Sequence, residues 1–364
     1  MNRSGAIRTR DIVVASPGSK QFDDVVGSPR TRLALLGTSG GPPWWGGEVR
    51  RSGISSAVAV AGSVYLVDCG EGWGPRYQQA KLGPAGYQQC LANLRGVFIT
   101  HMHSDHTVDY PNLLTLAWHN GSDGFERPVT VLGPGDRGAL PPVVGGESQA
   151  QVICPEDPTP GMEAMTQRLI QGFAADINDR VRDQGKIAIH DLFDVHDIRL
   201  PNGAGGDPNG DPSPTMDPFV VYEDDKVRVT ATLVNHAPVF PSFAFRFDSD
   251  DGSIVFSGDT CPCDNLIILA KGADVLVHEV IDQQWAENIF PKPLNAADSA
   301  LLHHLLAAHT TIEQVGSVAE QCGVRALVLS HIAPGDNPVS RWEEAKSGFS
   351  GRLVVGEDLL QIGL

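Results

Sequence analysis

The chain has 364 residues, of which 20% are charged and 41% hydrophobic, enough for one large domain or two medium ones. It contains no run of eighteen apolar residues and no apolar secretory core near its amino terminus, which excludes a spanning helix and favours a cytoplasmic protein. A secreted or periplasmic location stays open if a signal was removed. The 27 basic and 44 acidic residues give a formal charge of −17, which makes nucleic acid an unlikely partner and predicts no membrane partner.

The predicted elements begin after a polar amino-terminal tail. Residues 1–30 show no sustained periodicity, and the folded body is predicted over residues 31–364. A strand at 32–37 and a hairpin at 55–68 are followed by short apolar runs that alternate with helical stretches. These runs lie at 96–100, 129–132, 227–234, 243–247, 254–257, 275–278, 326–330 and 353–355. The pattern predicts an α/β (or α+β) protein in which two sheets carry helices on their outer faces.

Between residues 133 and 218 this alternation loosens, and we interpret the segment as an insertion over one face of the domain. It is rich in glycine, proline and aspartate, with one helical stretch predicted from Met162 to Arg182. Residues 150–225 carry fifteen acidic and five basic side chains, so they supply −10 of the formal charge. The insertion is therefore predicted to repel polyanions.

The most informative segment is a histidine-rich motif that follows the apolar run ending at Thr100. His101 and His103 are two residues apart, so both imidazoles project from the same side of an extended backbone. Asp105 and His106 follow at once and can turn a second pair of ligands toward a neighbouring ion. Four polar residues in an exposed loop are the structural alternative, but three ligand-type residues further along the chain favour a metal site.

Each of those three residues ends a predicted strand. His236 follows the run at 227–234, Asp259 follows Gly258, and His331 follows the run at 326–330. Taken singly, a strand-end histidine is more often structural and a Gly-Asp-Thr sequence is usually a turn. Taken together with the histidine-rich motif, these three residues predict a metal centre at one edge of the sheets.

The order of these motifs resembles the metallo-β-lactamase superfamily of binuclear metal hydrolases. The sequences Leu66–Glu71, Ala273–Glu279 and Ala308–Thr311 are similar to its ribonuclease Z and arylsulfatase-like branch. The resemblance implies a four-layer αββα sandwich with two metal ions at one end of the sheets. It implies that His101, His103 and His236 bind one ion, that Asp105, His106 and His331 bind the other, and that Asp259 bridges them.

Five imidazoles and two carboxylates suit two divalent ions, with Zn²⁺ favoured by ligand type and Mn²⁺ or Fe left open. Two such ions about 3.5–4 Å apart would activate a bridging hydroxide as the nucleophile. Asp105 is therefore counted as catalytic as well as metal-binding. Asp68 is expected to accept a hydrogen bond from a ligand imidazole, with a simple turn residue as the alternative.

The resemblance also assigns a catalytic role to His309 and Glu279. His309 would give a proton to the leaving group, with Glu279 orienting it, although a purely structural pair is the alternative. We predict that a capping box at Thr310–Glu313 opens the next helix and holds His309 at the cleft edge. His278, His303 and His304 are left unassigned, the last two as surface residues.

A glycine-rich loop with two adjacent tryptophans follows the first predicted strand. Trp44 and Trp45 lie between prolines and glycines, where both cannot easily be buried. An aromatic wall of the substrate pocket is as good an interpretation as core packing.

These features predict a metal-dependent hydrolase that cleaves a small or medium ester by a metal-bridging hydroxide, with phosphodiesters and sulfate esters favoured. The resemblance places an RNA-gripping arm between the third metal histidine and the bridging aspartate, but only 22 residues, Ala237–Gly258, lie there. A small-molecule ester is therefore the expected partner, and a homodimer is possible. The alternatives are a ribonuclease Z-type endonuclease that processes tRNA 3′ ends, a lactonase, and a non-catalytic metal-binding module.

Overall fold

A computed structural model describes residues 12–15, 30–86, 88–122, 124–143 and 150–364. The strands within these residues are β1 Val13–Ala15, β2 Thr31–Gly37, β3 Ser55–Val60, β4 Ser63–Val67, β5 Leu94–Phe98, β6 Val129–Pro134, β7 Phe193–Ile198, β8 Phe219–Glu223, β9 Arg228–Leu233, β10 Phe243–Asp248, β11 Ser253–Phe256, β12 Val275–Ile281, β13 Ala326–Ala333, β14 Arg352–Val355 and β15 Gln361–Gly363. The α-helices are α1 Trp73–Gln79, α2 Ser104–Thr107, α3 Tyr110–Asn112, α4 Trp118–Gly121, α5 Met162–Gly172, α6 Ala174–Gln184, α7 Ile189–Leu192, α8 Asp264–Ala270, α9 Gln283–Asn288, α10 Ala296–Ala307, α11 Ile312–Cys322 and α12 Val339–Trp342. A π-helical turn at Leu113–Ala117 and a 3₁₀ turn at Glu343–Lys346 complete the helical segments of the described residues.

The strands form two mixed sheets. One has eight strands in the order β1-β15-β2-β3-β4-β5-β6-β7, and the other has seven in the order β14-β13-β12-β11-β10-β9-β8. Strand β1 belongs to the predicted tail and pairs with β15 at the sheet edge. The rest of that predicted tail, apart from Ile12 and Arg30, lies outside the described residues.

The main core lies between the two sheets. The ring of Phe98 in the first sheet lies 5.7 Å from that of Phe245 in the second. Strand β2 is apolar from Leu33 to Leu36 because both of its faces are buried. Leu33 points into this inter-sheet core, whereas Ala34 points into an outer cluster beneath the helices, because successive side chains of a strand alternate between its faces.

Helices cover the outer face of each sheet. Trp73 and Trp118 are fully buried in the outer cluster of the first sheet. Leu266 of α8 and Trp342 of α12 belong to the outer cluster of the second sheet. The layers are therefore helix, sheet, sheet and helix, and the predicted αββα sandwich is confirmed.

The direction of the strands decides where polar residues collect. Strands β11, β12 and β13 run parallel to one another. Strand β9 runs in the same direction, because β10 is antiparallel to both β9 and β11. Their carboxyl ends therefore share one edge of the second sheet. The backbone N–H of Phe243 donates to the carbonyl oxygen of Thr100 at 2.9 Å, so the segment that follows β5 joins the same edge.

The predicted insertion contains three helices, α5, α6 and α7, where one helical stretch was expected. The stretch that was predicted as continuous from Met162 to Arg182 is divided at Phe173 into α5 and α6. Met162 and Ile177 pack in the outer cluster of the first sheet. In the ranges that the structure covers, no helix is long and apolar enough to cross a membrane.

Candidate metal centre

The histidine-rich motif lies just beyond the carboxyl end of β5. His103 is the N-terminal cap of the short helix α2, which turns Asp105 and His106 back toward the strand. His101 is fully buried and His106 is nearly so. The alternative of an exposed polar loop therefore does not describe this segment.

The seven residues that the sequence predicted as metal ligands come together in two clusters. Within each cluster, the potential ligand atoms all lie within 4.8 Å of one another. One cluster is formed by His101, His103, His236 and Asp259, and the other by Asp105, His106 and His331. The resemblance implies the same grouping, with Asp259 shared by the two ions. Two further groups that meet the same distance criterion include His309, one with Asp259 and His331 and the other with His236 and His304.

Asp259 lies between the two clusters. Its Oδ2 atom is 3.7 Å from Nε2 of His101 and 3.3 Å from Nε2 of His331, and its Oδ1 atom is 3.4 Å from Nε2 of His106. The turn that places it requires glycine at position 258, where φ is +60° and a Cβ would approach the Phe243 carbonyl oxygen to 2.5 Å. This is the position expected of a carboxylate shared by two ions.

The donor atoms of these residues fit divalent ions. Four buried side-chain atoms of these residues have no hydrogen-bond partner, namely Nε2 of His101, Nε2 of His106, Oδ1 of Asp259 and Nδ1 of His331. Burying unpaired polar atoms is costly, and so many at one point indicates that another group satisfies them. Imidazole nitrogen with carboxylate oxygen is a donor set for borderline ions such as Zn²⁺. The clusters can therefore hold divalent metal.

Burial keeps the imidazoles of the first cluster neutral. It lowers the pKa of His103 to about 4 and holds the pKa of His101 and of His236 well below the usual range. Burial alone would raise the pKa of Asp105, but the neighbouring His106 and His331 hold it below its ordinary value. Neutral imidazoles and ionised carboxylates are the forms that bind metal.

Residues behind the clusters fix which nitrogen faces the centre. Nδ1 of His106 donates to Oδ2 of Asp68 at 2.8 Å, and Asp68 also accepts from the backbone N–H of Thr100 at 2.8 Å. Nδ1 of His236 donates to the carbonyl oxygen of Ala308 at 2.9 Å. In both rings Nε2 is therefore the nitrogen that faces the centre, where Nε2 of His236 lies 3.2 Å from Nδ1 of His103. The structure thus places Asp68 where an accepting carboxylate was expected.

His309 and Glu279 form a pair beside Asp259. Nδ1 of His309 donates to Oε1 of Glu279 at 2.9 Å and lies 4.0 Å from Oδ2 of Asp259. Burial disfavours the charged imidazole, but the Glu279 carboxylate outweighs it and raises the pKa of His309 to about 9. Glu279 is held in turn by the backbone N–H groups of Thr260 and Thr310, at 3.0 and 3.2 Å. The pair therefore presents a protonated imidazole at the edge of the clusters.

The helix after His309 begins one residue later than predicted. Its capping box is formed by Thr311 and Gln314, rather than by Thr310 and Glu313. The Thr310 hydroxyl instead donates to the carbonyl oxygen of Thr260, at 2.6 Å. This tertiary contact withdraws Thr310 from the cap and ties the loop of His309 to the loop of Asp259.

The glycine-rich loop after β2 also reaches the clusters. The backbone N–H of Gly41 donates to Oδ2 of Asp105 at 3.1 Å. Trp45 donates from Nε1 to the Ser39 hydroxyl at 2.8 Å and packs edge-on against Trp285, with ring centroids 5.6 Å apart. Trp44, in contrast, is 80% exposed. The two tryptophans therefore differ, since Trp45 anchors the loop and Trp44 projects from it.

Sequence reasoning missed His304, which it assigned to the surface. Its ring centroid lies 5.6 Å from that of His236, 6.0 Å from that of His309 and 6.3 Å from that of His103. The available signal was its position five residues before His309, near the end of a helix that leads into the site. His303, its neighbour, is exposed as predicted.

Solved structures with similar folds share this arrangement of sheets. The short form of human tRNase Z aligns with a TM-score of 0.56 and 19% identity, over 91% of this chain and 98% of that one. A metallo-β-lactamase fold protein of Bacillus subtilis aligns with a TM-score of 0.54 and 16% identity, over the same shares. The chain has the metallo-β-lactamase fold. A family profile described as a beta-lactamase superfamily domain also matches residues 201–332, so the predicted resemblance is confirmed.

Proteins of similar sequence extend the resemblance over nearly the whole chain. Ribonuclease Z of Mycobacterium bovis (strain BCG / Pasteur 1173P2) is 27% identical over 333 residues, which are 91% of this metallo-β-lactamase fold chain and 97% of that protein. Ribonuclease Z of Mycobacterium marinum is also 27% identical over 333 residues. These similarities confirm the predicted enzyme class, a hydrolase that acts on ester bonds.

The expectation of a small-molecule substrate and no nucleic-acid partner is wrong. It is overturned by the similarity to proteins named Ribonuclease Z, which covers nearly their whole length, and by the similarity to human tRNase Z. The net charge misled the prediction because a charge summed over the whole chain does not show where the charged side chains lie. The acidic insertion packs its helices on the outer face of the first sheet, through Met162 and Ile177, whereas the clusters lie at the strand ends. The short connection from 237 to 258, which contains β10 and β11, likewise did not decide the substrate.

Proposed function

We propose that this chain is a ribonuclease Z-type endonuclease that hydrolyses a phosphodiester bond of RNA with two divalent metal ions, Zn²⁺ being the first candidate. The observation that carries the proposal is the Glu279–His309 pair beside Asp259, in a chain that matches proteins named Ribonuclease Z over 97% of their length. Hydrolysis of an RNA phosphodiester expels an alkoxide, which is a poor leaving group and needs a proton. This site has a proton donor next to its metal residues.

The metal ions would be held by the two clusters described above. His101, His103 and His236 would hold one ion, Asp105, His106 and His331 the other, and Asp259 both. When bound, such ions supply an activated water and positive charge against the phosphoryl oxygens. The neutral imidazoles of the first cluster and the ionised carboxylate of Asp105 support this assignment.

His309 would deliver the proton from a defined atom. Its Nδ1 is engaged by Glu279, so Nε2 is the nitrogen that can donate to the leaving oxygen. Glu279 keeps the ring charged and orients it, since its Oε1 atom is fixed by two backbone N–H groups as well. The proton therefore passes from Nε2 of His309 to the oxygen that departs from phosphorus.

The exposed Trp44 would contact the substrate. Its loop is tied to the centre by the Gly41 N–H bond to Asp105 and is stiffened by the packing of Trp45 on Trp285. An indole that is 80% exposed at such a place can stack on a nucleobase without reorganising the core.

Cleavage of a labelled transfer-RNA precursor with a 3′ extension tests the proposal. We expect metal-dependent cutting at one position, which His103→Ala abolishes and a chelator suppresses. The matched control is His190→Ala, since that histidine on α7 is exposed and lies outside both clusters. A metal-loaded protein that hydrolyses bis(p-nitrophenyl) phosphate but cuts neither this precursor nor other RNA would refute the nuclease assignment.

A further inference from the structure

Helix α10 is apolar and yet uncovered. Its sequence, AADSALLHHLLA, contains four leucines and four alanines, but none of its residues is buried. The side chain of Leu301, for example, is 48% exposed. Apolar surface of this kind on a described face of the protein usually marks a binding site.

A groove of about 820 Å³ runs along this helix and ends at the metal clusters. Its helix side is formed by Ala297, Ala300, Leu301 and His304, which share one face of α10 because they are three or four residues apart. His103, a residue of the first cluster, closes its inner end. A groove of this size is in the range of small-ligand sites. Whatever fills it must therefore adjoin the reacting bond.

The polar groups of the groove suit a nucleotide. Its described lining includes three histidines and an asparagine, but no aspartate or glutamate, in a chain whose formal charge is −17. Nδ1 of His304 is buried and has no hydrogen-bond partner among the described residues. Imidazole rings and apolar side chains stack on nucleobases.

We infer that this groove, which we call the α10 groove, binds the nucleobase of the nucleotide that carries the leaving oxygen. The inference rests on the proposed nuclease function and adds a base-binding subsite to it. His309 determines which side of the scissile bond lies at the α10 groove. Its ring lies 6.0 Å from that of His304, and it holds the proton for the leaving oxygen. His304 is thus a residue that positions and selects the substrate.

Two variants of equal charge test the α10 groove. Ala300→Glu places a carboxylate in the groove, whereas Ser299→Glu places the same charge on the neighbouring exposed position outside it. The dissociation constant is measured by fluorescence anisotropy in chelated protein, with an RNA whose cleavage site has been mapped. We expect Ala300→Glu to weaken binding about tenfold and Ser299→Glu less than twofold.

The same RNA with one abasic nucleotide, on either side of the mapped bond, identifies the occupant. In the unmodified protein, loss of the base on the leaving side should weaken binding about tenfold, and in Ala300→Glu that loss should cost less than twofold. Equal weakening by Ala300→Glu and Ser299→Glu, or no abasic effect, would overturn the inference. So would a dimer that Ala300→Glu alone dissociates in light scattering, because a second copy would then cover the groove.

Failure of the inference can be told apart from failure of the proposed function. If the unmodified protein cuts RNA at a defined position but shows no base dependence, only the α10 groove assignment is wrong. If the metal-loaded protein cuts no RNA at all, the nuclease assignment is wrong as well.

Discussion

Replacing His309 by alanine should remove the proton donor while leaving the metal clusters intact. The side chain contacts Glu279 through Nδ1 at 2.9 Å and belongs to neither of the ligand sets centred on Asp259 that the sequence predicted. His309→Gln is the matched variant, because its amide can still donate to Glu279 but cannot act as an acid. Both variants should fold and keep two metals per chain.

The size of the effect follows from the charge state of the ring. Because the Glu279 carboxylate overcomes burial and raises the pKa of His309 to about 9, ~97% of the rings are protonated at pH 7.5. A general acid contributes roughly a hundred- to ten-thousandfold when the leaving group is an alkoxide. Both variants should lose that factor on RNA, about 3–5 kcal/mol of barrier. On bis(p-nitrophenyl) phosphate the loss should stay below about tenfold, because p-nitrophenolate leaves without a proton.

The pH dependence has a definite sign. The acid form of His309 is lost as pH rises through its pKa, so cleavage of RNA should decline on the alkaline side, at a pH no higher than about 9. In Glu279→Gln burial is no longer outweighed, and the alkaline decline should move to lower pH. The chromogenic ester should show a weaker dependence in both proteins.

Single-turnover rates on both substrates, with metal analysis of each preparation, test the proton-donor role of His309. His190→Ala controls for the loss of an imidazole outside the site, since that side chain on α7 is exposed. Equal losses on RNA and on the chromogenic ester, or loss of a metal ion from His309→Ala, would refute the proton-donor role.

Three further expectations concern the clusters and the loop. Asp259→Asn should release more metal than His101→Ala, because its two oxygens face both clusters; elemental analysis that shows equal loss would contradict a bridging role. Asp68→Ala should lower metal affinity roughly 10- to 100-fold, since the Nδ1 donor of His106 loses its acceptor, and titration with a competing chelator measures this. Trp44→Ala should raise KM for RNA with the melting temperature unchanged, because the indole is exposed; unchanged kinetics would remove it from the site.

The composition of the metal clusters was predictable from the sequence because the relevant constraints are local. His101 to His106 lie within one strand end and one helical turn, so their spacing already determines how they face. His236 and Asp259 follow apolar strands, His331 lies near the carboxyl end of β13, and parallel strands bring their ends to a common edge. The two-sheet architecture followed from the same alternation of short apolar runs and helices.

Contacts between distant segments decided the rest. Thr310 leaves the helix cap because its hydroxyl reaches Thr260, fifty residues away, and no local pattern shows that partner. His304 has the same sequence context as the exposed His303, and only the packing of α10 beside His236 and His309 turns it toward the clusters. Net charge pointed to the wrong substrate for a related reason. It is a sum over the chain, whereas substrate binding depends on which charges the tertiary structure brings to the site.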